Sequence, residues 1–357
     1  MIQKPIITEG MHLDSVQRHR HVRRAIEDLC FSWGYRPVET PLLDEFSLYD
    51  QHMSTQLLHD SYRLIDRSGK VMLLRSDITL FLAGQLGRHM DPDELPLRIS
   101  YADTIVRHQA DDEIHSGDTF QAGAELIGVA DSEGDAEILL LAANLFRTLQ
   151  IPDTVLHIGS RKLLQLIWPD ADAESSSHIA EAIRFRRFSQ LASLTDGAKL
   201  STEQINTVFS CIAEATEHTE LSQNLAETLQ SQPHILSEVQ RIIELSLLVQ
   251  RLEPGIRVRI DFSEVGGREY YSGMAFQMYC PGAARAVAGG GRYDSLLGDF
   301  GCPAASVGFS VVQSVIEPLV QGISIAAEPI STPESSDFTT RYTKAQEMRQ
   351  QGKAAHL

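Results

Sequence analysis

The sequence predicts an α+β fold: an antiparallel sheet flanked by helices, with a helical subdomain inserted between two parts of one core. Three observations predict it. Strand-like runs at residues 97–107 and 120–128, joined by a polar loop, read as a long hairpin. A second hairpin, residues 274–279 and 284–288, turns at Pro281-Gly282. Between the two, residues 169–254 are helical in pattern, with Ser and Thr clusters between segments, and their composition differs from both flanks.

The chain has 357 residues, which suits two or three structural units with one sizeable core. No apolar run approaches membrane-span length, and residues 1–10 lack a charged region followed by an apolar one. Neither a membrane span nor a signal peptide is therefore expected, and the cytoplasm is the default. Cys30, Cys211, Cys280 and Cys302 lack C-x-x-C spacing, which favours reduced buried thiols over disulfides or a zinc site. A net charge of -17 makes the chain a poor general binder of polyanions, so nucleic acid is not an expected partner. No cofactor and no metal are expected.

Residues 13–33 read as a helix, with Val16, Val22, Ile26, Leu29 and Cys30 near helical spacing. Its basic stretch, residues 18–24, offers a solvated face or a contact for an acidic partner surface. His19 and His21, two apart, do not share a helix face and make poor metal ligands. Gly34 ends the helix, and residues 35–41, with two prolines, read as an edge or interface segment. Strands at 62–65 and 71–74 flank a turn over 66–69.

Asp77 and Thr79 stand at the next strand-to-helix junction. Ser76 or Asp77 can cap that helix; alternatively, Asp77 and Thr79 offer a carboxylate and a hydroxyl to a ligand ammonium. In the long hairpin Gln121 and Glu125 are an even number of residues apart and share a sheet face, with Ala122, Ala124 and Leu126 on the other. If that face is buried, these polar groups need partners, either a ligand ammonium or Arg107 across the hairpin.

A strongly apolar helix opens at Asp135 and runs to about Leu149, and a strand covers 154–158. Residues 256–262 alternate Ile256, Val258 and Ile260 against Arg257, Arg259 and Asp261. Residues 307–310 follow the second hairpin, then a helix over 311–320. Residues 323–337, rich in Ser, Pro, Glu and Ala, read as a linker, and a short helix over 342–352 closes the chain.

The most informative stretch is residues 266–294. Gly289, Gly290 and Gly291 end its second strand and let a backbone approach either a ligand or a neighbouring strand. Their spacing matches neither a dinucleotide fingerprint nor a phosphate loop, and alone they read as a turn. Tyr270 and Tyr271 stand just ahead of the first strand. Aromatic faces and bare backbone at one hairpin mouth suit a small, polar, ring-bearing ligand.

The order of these motifs resembles the catalytic core of histidyl-tRNA synthetase, a class II aminoacyl-tRNA synthetase, over residues 10–320. Residues 34–41 look like the dimer-forming first motif, and the hairpin with Arg107 and 121–125 like the second. Glu269-Tyr270-Tyr271 and residues 288–294 look like the two histidine-specific motifs, and residues 307–310 like the start of the third. The resemblance implies a class II synthetase-like fold in four parts: core 1–168, helical insertion 169–254, core 255–322, and linker with a short helix 323–357.

Departures from the pattern redirect the expected function. Where the synthetases place an activating arginine ahead of the paired tyrosines, this chain has Gly266. Arg-x-Glu of the second motif is Arg107-His108-Gln109, and the third motif gives Ser314-Val315 in place of Glu-Arg. Such side chains do not hold a triphosphate and metal or stabilise charge at phosphorus. The tail is also short for the anticodon-binding domain of a synthetase. A retained histidine pocket without adenylation machinery is similar to the regulatory-subunit family of ATP phosphoribosyltransferase, a non-catalytic paralogue of the synthetases. Asp77 within residues 74–79 fits that paralogue too.

That resemblance implies a partner, the short-form catalytic subunit, with self-association as a dimer within a hetero-octamer and L-histidine as effector. It also implies a histidine site. Asp77, Gln121 and Glu125 would face the ligand amino group, with Thr79 and Arg107 beside them. Tyr270 and Tyr271 would border the imidazole, and the backbone at Gly289 and Gly290 would approach it. The alternatives are a histidine-activating synthetase-like enzyme and a free-standing histidine sensor.

Overall fold

A computed structural model describes residues 13–108, 118–191, 197–320, 330–331, 337–351 and 355–356. The strands are β1 (Arg36–Pro37), β2 (Leu43–Glu45), β3 (Arg63–Ile65), β4 (Val71–Leu74), β5 (Leu97–Val106), β6 (Asp118–Ile127), β7 (Val155–Ser160), β8 (Ile212–Glu214), β9 (Arg257–Asp261), β10 (Met274–Tyr279), β11 (Ala288–Arg292) and β12 (Ser306–Val312), with a small pair β13 (Ile330–Ser331) and β14 (Ala355–His356). The helices are α1 (Leu13–Ser32), α2 (Thr55–Asp60), α3 (Ile78–His89), α4 (Ser132–Thr148), α5 (Lys162–Ile167), α6 (Ala173–Arg184), α7 (Phe188–Leu191), α8 (Thr202–Ser210), α9 (His218–Thr228), α10 (Pro233–Leu252), α11 (Leu296–Asp299), α12 (Gln313–Ile316) and α13 (Phe338–Gln350).

The chain divides into two compact units, Val22–Gln321 and a smaller one from Met1–His21 and Gly322–Leu357. In the smaller unit β13 and β14 pair in parallel, and Asp337 caps α13 by accepting from Thr339 and Thr340 N–H. The rest of the expected linker 323–337 lies largely outside the described residues, as do residues 109–117 of the expected loop 109–119.

In the larger unit, nine strands form one sheet in the order β1-β5-β6-β12-β11-β10-β7-β9-β8. The sheet is mixed: the β1–β5 and β7–β9 pairs are parallel and the other pairings antiparallel. The α+β expectation stands, with those two parallel pairs as the departure from a purely antiparallel sheet. Strands β2, β4 and β3 form a separate small sheet.

Alternation along β6 sets the layers. Ala122, Ala124 and Leu126 are buried on one face, and helix α4 packs against β6, β11 and β12. On the other face Ile99 and Ile127 join Leu80, Phe81, Tyr293 and Leu297 in a second core. Glu125 and Gln121 belong to this face by parity, so the same pleat that buries Ile127 buries them.

Three boundaries differ from expectation. The triple glycine does not end a strand; it is the strand β11, paired on one side with β10 and on the other with β12. A Cβ on Gly290 would collide with the Gly308 carbonyl and the Phe276 ring, so neighbouring strands demand the bare backbone. The expected helix over 311–320 shrinks to α12, because β12 stays paired with β6 as far as Val312. Within the stretch read as wholly helical, β8 pairs with β9 at the sheet edge.

Candidate functional site

The start of α3, the strands β6 and β12, and residues just outside β5, β10 and β11 bring one polar cluster together. Asp77 ends the approach to α3 and caps it, its Oδ1 accepting from Leu80 N–H at 3.1 Å. The other oxygen, Oδ2, faces away from the helix and meets Arg268 Nη2 at 3.0 Å and Arg107 Nη2 at 3.4 Å. Asp77 is thus both the cap and a site carboxylate, so the two sequence readings are not exclusive. Arg107 also donates to the Ser76 carbonyl at 2.6 Å. It turns toward Ser76 and Asp77 rather than bonding Gln121 or Glu125.

Glu125 is 1% exposed. One oxygen accepts from Thr79 Oγ1 at 2.8 Å and the other from the Tyr293 hydroxyl at 2.6 Å. Burial pushes its carboxyl up to about 7, against those two bonds, which pull it down. Gln121 is 3% exposed, and among the described residues its Oε1 is buried without a hydrogen-bond partner. An unpaired buried acceptor costs about 1–3 kcal/mol, so a donor at this point would be welcome.

Asp77, Thr79, Gln121, Glu125, Tyr270 and Tyr271 line one cavity, together with Arg268, Tyr293, Gly308 and Ser310. The three tyrosines pack edge to face, at 5.3 Å for Tyr270–Tyr271 and 5.7 Å for Tyr270–Tyr293. The cavity is about 20 Å³, room for roughly one water and far short of an amino acid. The Arg268 guanidinium stands at Asp77, where a ligand ammonium was expected. Asp77 is the largest influence on Arg268 and holds its pKa up.

Gly289 and Gly290 do not line this cavity. They pair with Gln277 and Phe276 in the sheet, and Gly308 lines it instead. Arg107 touches the cavity only through Asp77. Sequence reasoning missed Arg268, Tyr293 and Gly308 as site residues, although all three lie in or beside the quoted motifs. A cation among glycines and tyrosines was the visible signal for Arg268. Nothing in the sequence pairs Tyr293 with Glu125. Among the described residues no group of His, Cys, Asp and Glu is arranged to hold a metal, and no helix is long and apolar enough to cross a membrane.

Comparison with known proteins bears on this geometry. The family model for histidyl-tRNA synthetase matches residues 8–316. A curated relative from Desulfitobacterium hafniense, named ATP phosphoribosyltransferase regulatory subunit, is 28% identical, with 98% of this chain and 91% of the relative covered. A protein of the same name from Moorella thermoacetica is 30% identical, covering 79% of this chain and 73% of its own. A crystal structure described as an ATP phosphoribosyltransferase regulatory subunit/histidyl-tRNA synthetase from Bacillus halodurans shares the fold. Its TM-score is 0.79 at 19% identity, over 99% of this chain and 92% of that one. The chain belongs to the histidyl-tRNA synthetase family, on the branch whose curated members are named ATP phosphoribosyltransferase regulatory subunits.

Proposed function

We propose that this chain is a non-catalytic regulatory subunit of ATP phosphoribosyltransferase, acting in the cytoplasm. It assembles with a short-form catalytic subunit, activates it, and carries feedback inhibition by histidine. One contrast supports this most directly. Asp77, Thr79, Gln121 and Glu125, a set suited to an amino acid ammonium, converge on one cavity beside three tyrosines. Gly266 stands where the resemblance implies an arginine that assists activation of histidine, and Val315 where it implies one that holds ATP; neither offers a charge to a triphosphate. The site has acceptors for an ammonium and aromatic walls for a ring, without those cations for adenylation.

The shared name of the curated relatives supports the partner. Dimerisation within a hetero-octamer belongs to the same proposal. Histidine would enter by drawing Arg268 off Asp77, moving residues 266–271 with it. If the partner packs on that region, ligand affinity and partner conformation are linked reciprocally.

The test is phosphoribosyl-ATP formation by the short catalytic subunit, with and without this chain, each repeated with histidine. Activation that histidine reverses is expected. An unchanged rate in a mixture of both folded proteins overturns the proposal, and ATP–pyrophosphate exchange with histidine would point to a synthetase instead.

A further inference from the structure

Residues 266–269 also wall a second, larger cavity of about 480 Å³, which shares only Arg268 with the first. Its other walls come from the start of α2, from Arg161 at the end of β7, and from α6. The volume is that of an ordinary small-molecule site.

Arg161 lines this cavity and is only 7% exposed. Among the described residues no carboxylate lies within ion-pair distance of its guanidinium, and its side chain makes no hydrogen bond. Other buried arginines are treated differently. Arg75 meets Asp103 at 2.8 Å, and Arg292 meets Asp135 at 2.8 Å. Burial lowers the Arg161 pKa, Glu269 raises it and Arg184 lowers it further. A buried cation left unpaired is costly.

Arg184, exposed on the last turn of α6, faces the same cavity. A Cβ added at Gly267 would lie 3.2 Å from its Nη1, so this glycine gives the guanidinium room over the chain. Arg184 makes no ion pair among the described residues; its guanidinium lies 4.7 Å from the Phe185 ring centre. Two acids share the walls. Glu181 is 3.5 Å from Arg187, and the exposed Glu269 accepts from Ser177 at 3.3 Å. Arg268 is committed to Asp77.

We propose that this cavity binds a phosphate-bearing small molecule, held by the buried Arg161 and the exposed Arg184. Two guanidinium groups match a dianionic phosphate better than a single carboxylate, and the planar fork of each suits its oxygens. The site shares Arg268 with the proposed histidine pocket, but its two cations, Arg161 and Arg184, line only this cavity, so its test does not depend on histidine binding.

Inorganic pyrophosphate is the probe, titrated calorimetrically into the full chain at low salt, with inorganic phosphate and citrate in parallel. Saturable binding of pyrophosphate, stronger than that of citrate, is expected. Arg161→Gln should weaken it by about tenfold or more, the loss of one charge-assisted pair. Arg184→Gln should weaken it several-fold, and Arg23→Gln on α1 should leave it unchanged. Equal binding by all variants, citrate binding as tightly as pyrophosphate, or no saturable binding overturns the proposal. If Arg161→Gln does not fold, the surface variant Arg184→Gln decides alone. Histidine titrated into the same variants reports separately on the tyrosine-lined pocket.

Discussion

Arg268 Nη2 stands 3.0 Å from Asp77 Oδ2, so a cation of the chain itself occupies the carboxylate proposed to meet a ligand ammonium. The arginine comes from the segment before β10 and the aspartate from the cap of α3. Arg268→Met removes the competing cation while keeping most of the side-chain volume. Histidine affinity, read by calorimetry, should rise by about tenfold, a gain of ~1.4 kcal/mol. Stability should fall by ~1–3 kcal/mol, because among the described residues Arg107 at 3.4 Å is then the one cation left beside Asp77. Weaker histidine binding in this variant would mean that Arg268 serves the ligand rather than excluding it.

Glu125 gives the protein a pH dependence. Its carboxyl is raised from 4.5 to about 7 by burial, so the folded state binds more protons than the unfolded state between those values. Stability is then lost as pH rises through that window, by on the order of 3 kcal/mol. Asp77, Tyr101 and Tyr293 face the same group. Glu264, raised to about 8 mainly by burial, adds to the same trend at higher pH. Thermal melts from about pH 5 to pH 8 should show a falling Tm, and Glu125→Gln should flatten the lower part of the slope. Identical slopes in the two proteins would contradict this assignment.

Gly308 holds the floor of the pocket open for Glu125. A Cβ there would overlap Glu125 Oε2 and its carboxyl carbon and crowd the Ala124 carbonyl. Gly308→Ala should therefore displace Glu125, break its bonds to Thr79 and Tyr293, and cost ~1–3 kcal/mol or more. Histidine binding should vanish in the folded fraction. A variant with unaltered melting and unaltered binding would show that the β6–β12 spacing yields easily.

Arg292, in the Gly-Gly-Gly-Arg-Tyr-Asp run, has a structural task. Its Nε meets Asp135 Oδ1 at 2.8 Å, and Arg241 Nη1 meets Asp135 Oδ2 at 2.7 Å. Arg241 also holds Glu238, so β11, α4 and α10 share one ion network. Arg292→Met leaves Asp135, 1% exposed, with one cation fewer. Chemical denaturation should show a loss of ~3–5 kcal/mol. A loss below ~1 kcal/mol would mean that Arg241 alone satisfies Asp135.

The hairpin β5–β6 was legible because its alternation is clean, and β10 because it has no breaker. The triple glycine misled, because glycine is a poor strand former by propensity and reads as a turn. Gly290 pairs with Phe276 of β10 and Phe309 of β12, and a Cβ on it would meet the Gly308 carbonyl and the Phe276 ring, contacts that no local propensity shows. Strand β8 is three residues long, too short for periodicity to register. In the site, junction position and strand parity singled out Asp77, Thr79, Gln121 and Glu125, and the family resemblance made them a ligand set. Gly289 and Gly290 were misplaced by the same error that ended the strand early.

By itself the sequence determined the α+β class, the order of motifs, the family, and the shared face of Gln121 and Glu125. The shared face follows from period two along a strand and the elements from local periodicity, while the family follows from the resemblance of its motifs, in their order, to histidyl-tRNA synthetase. Only the tertiary structure decided that Arg268 lies against Asp77, that Tyr293 bonds Glu125, and that Arg161 is buried with no carboxylate in ion-pair distance among the described residues. Those are contacts between segments far apart in the chain. They depend on how strands register and helices cross, which no local pattern encodes.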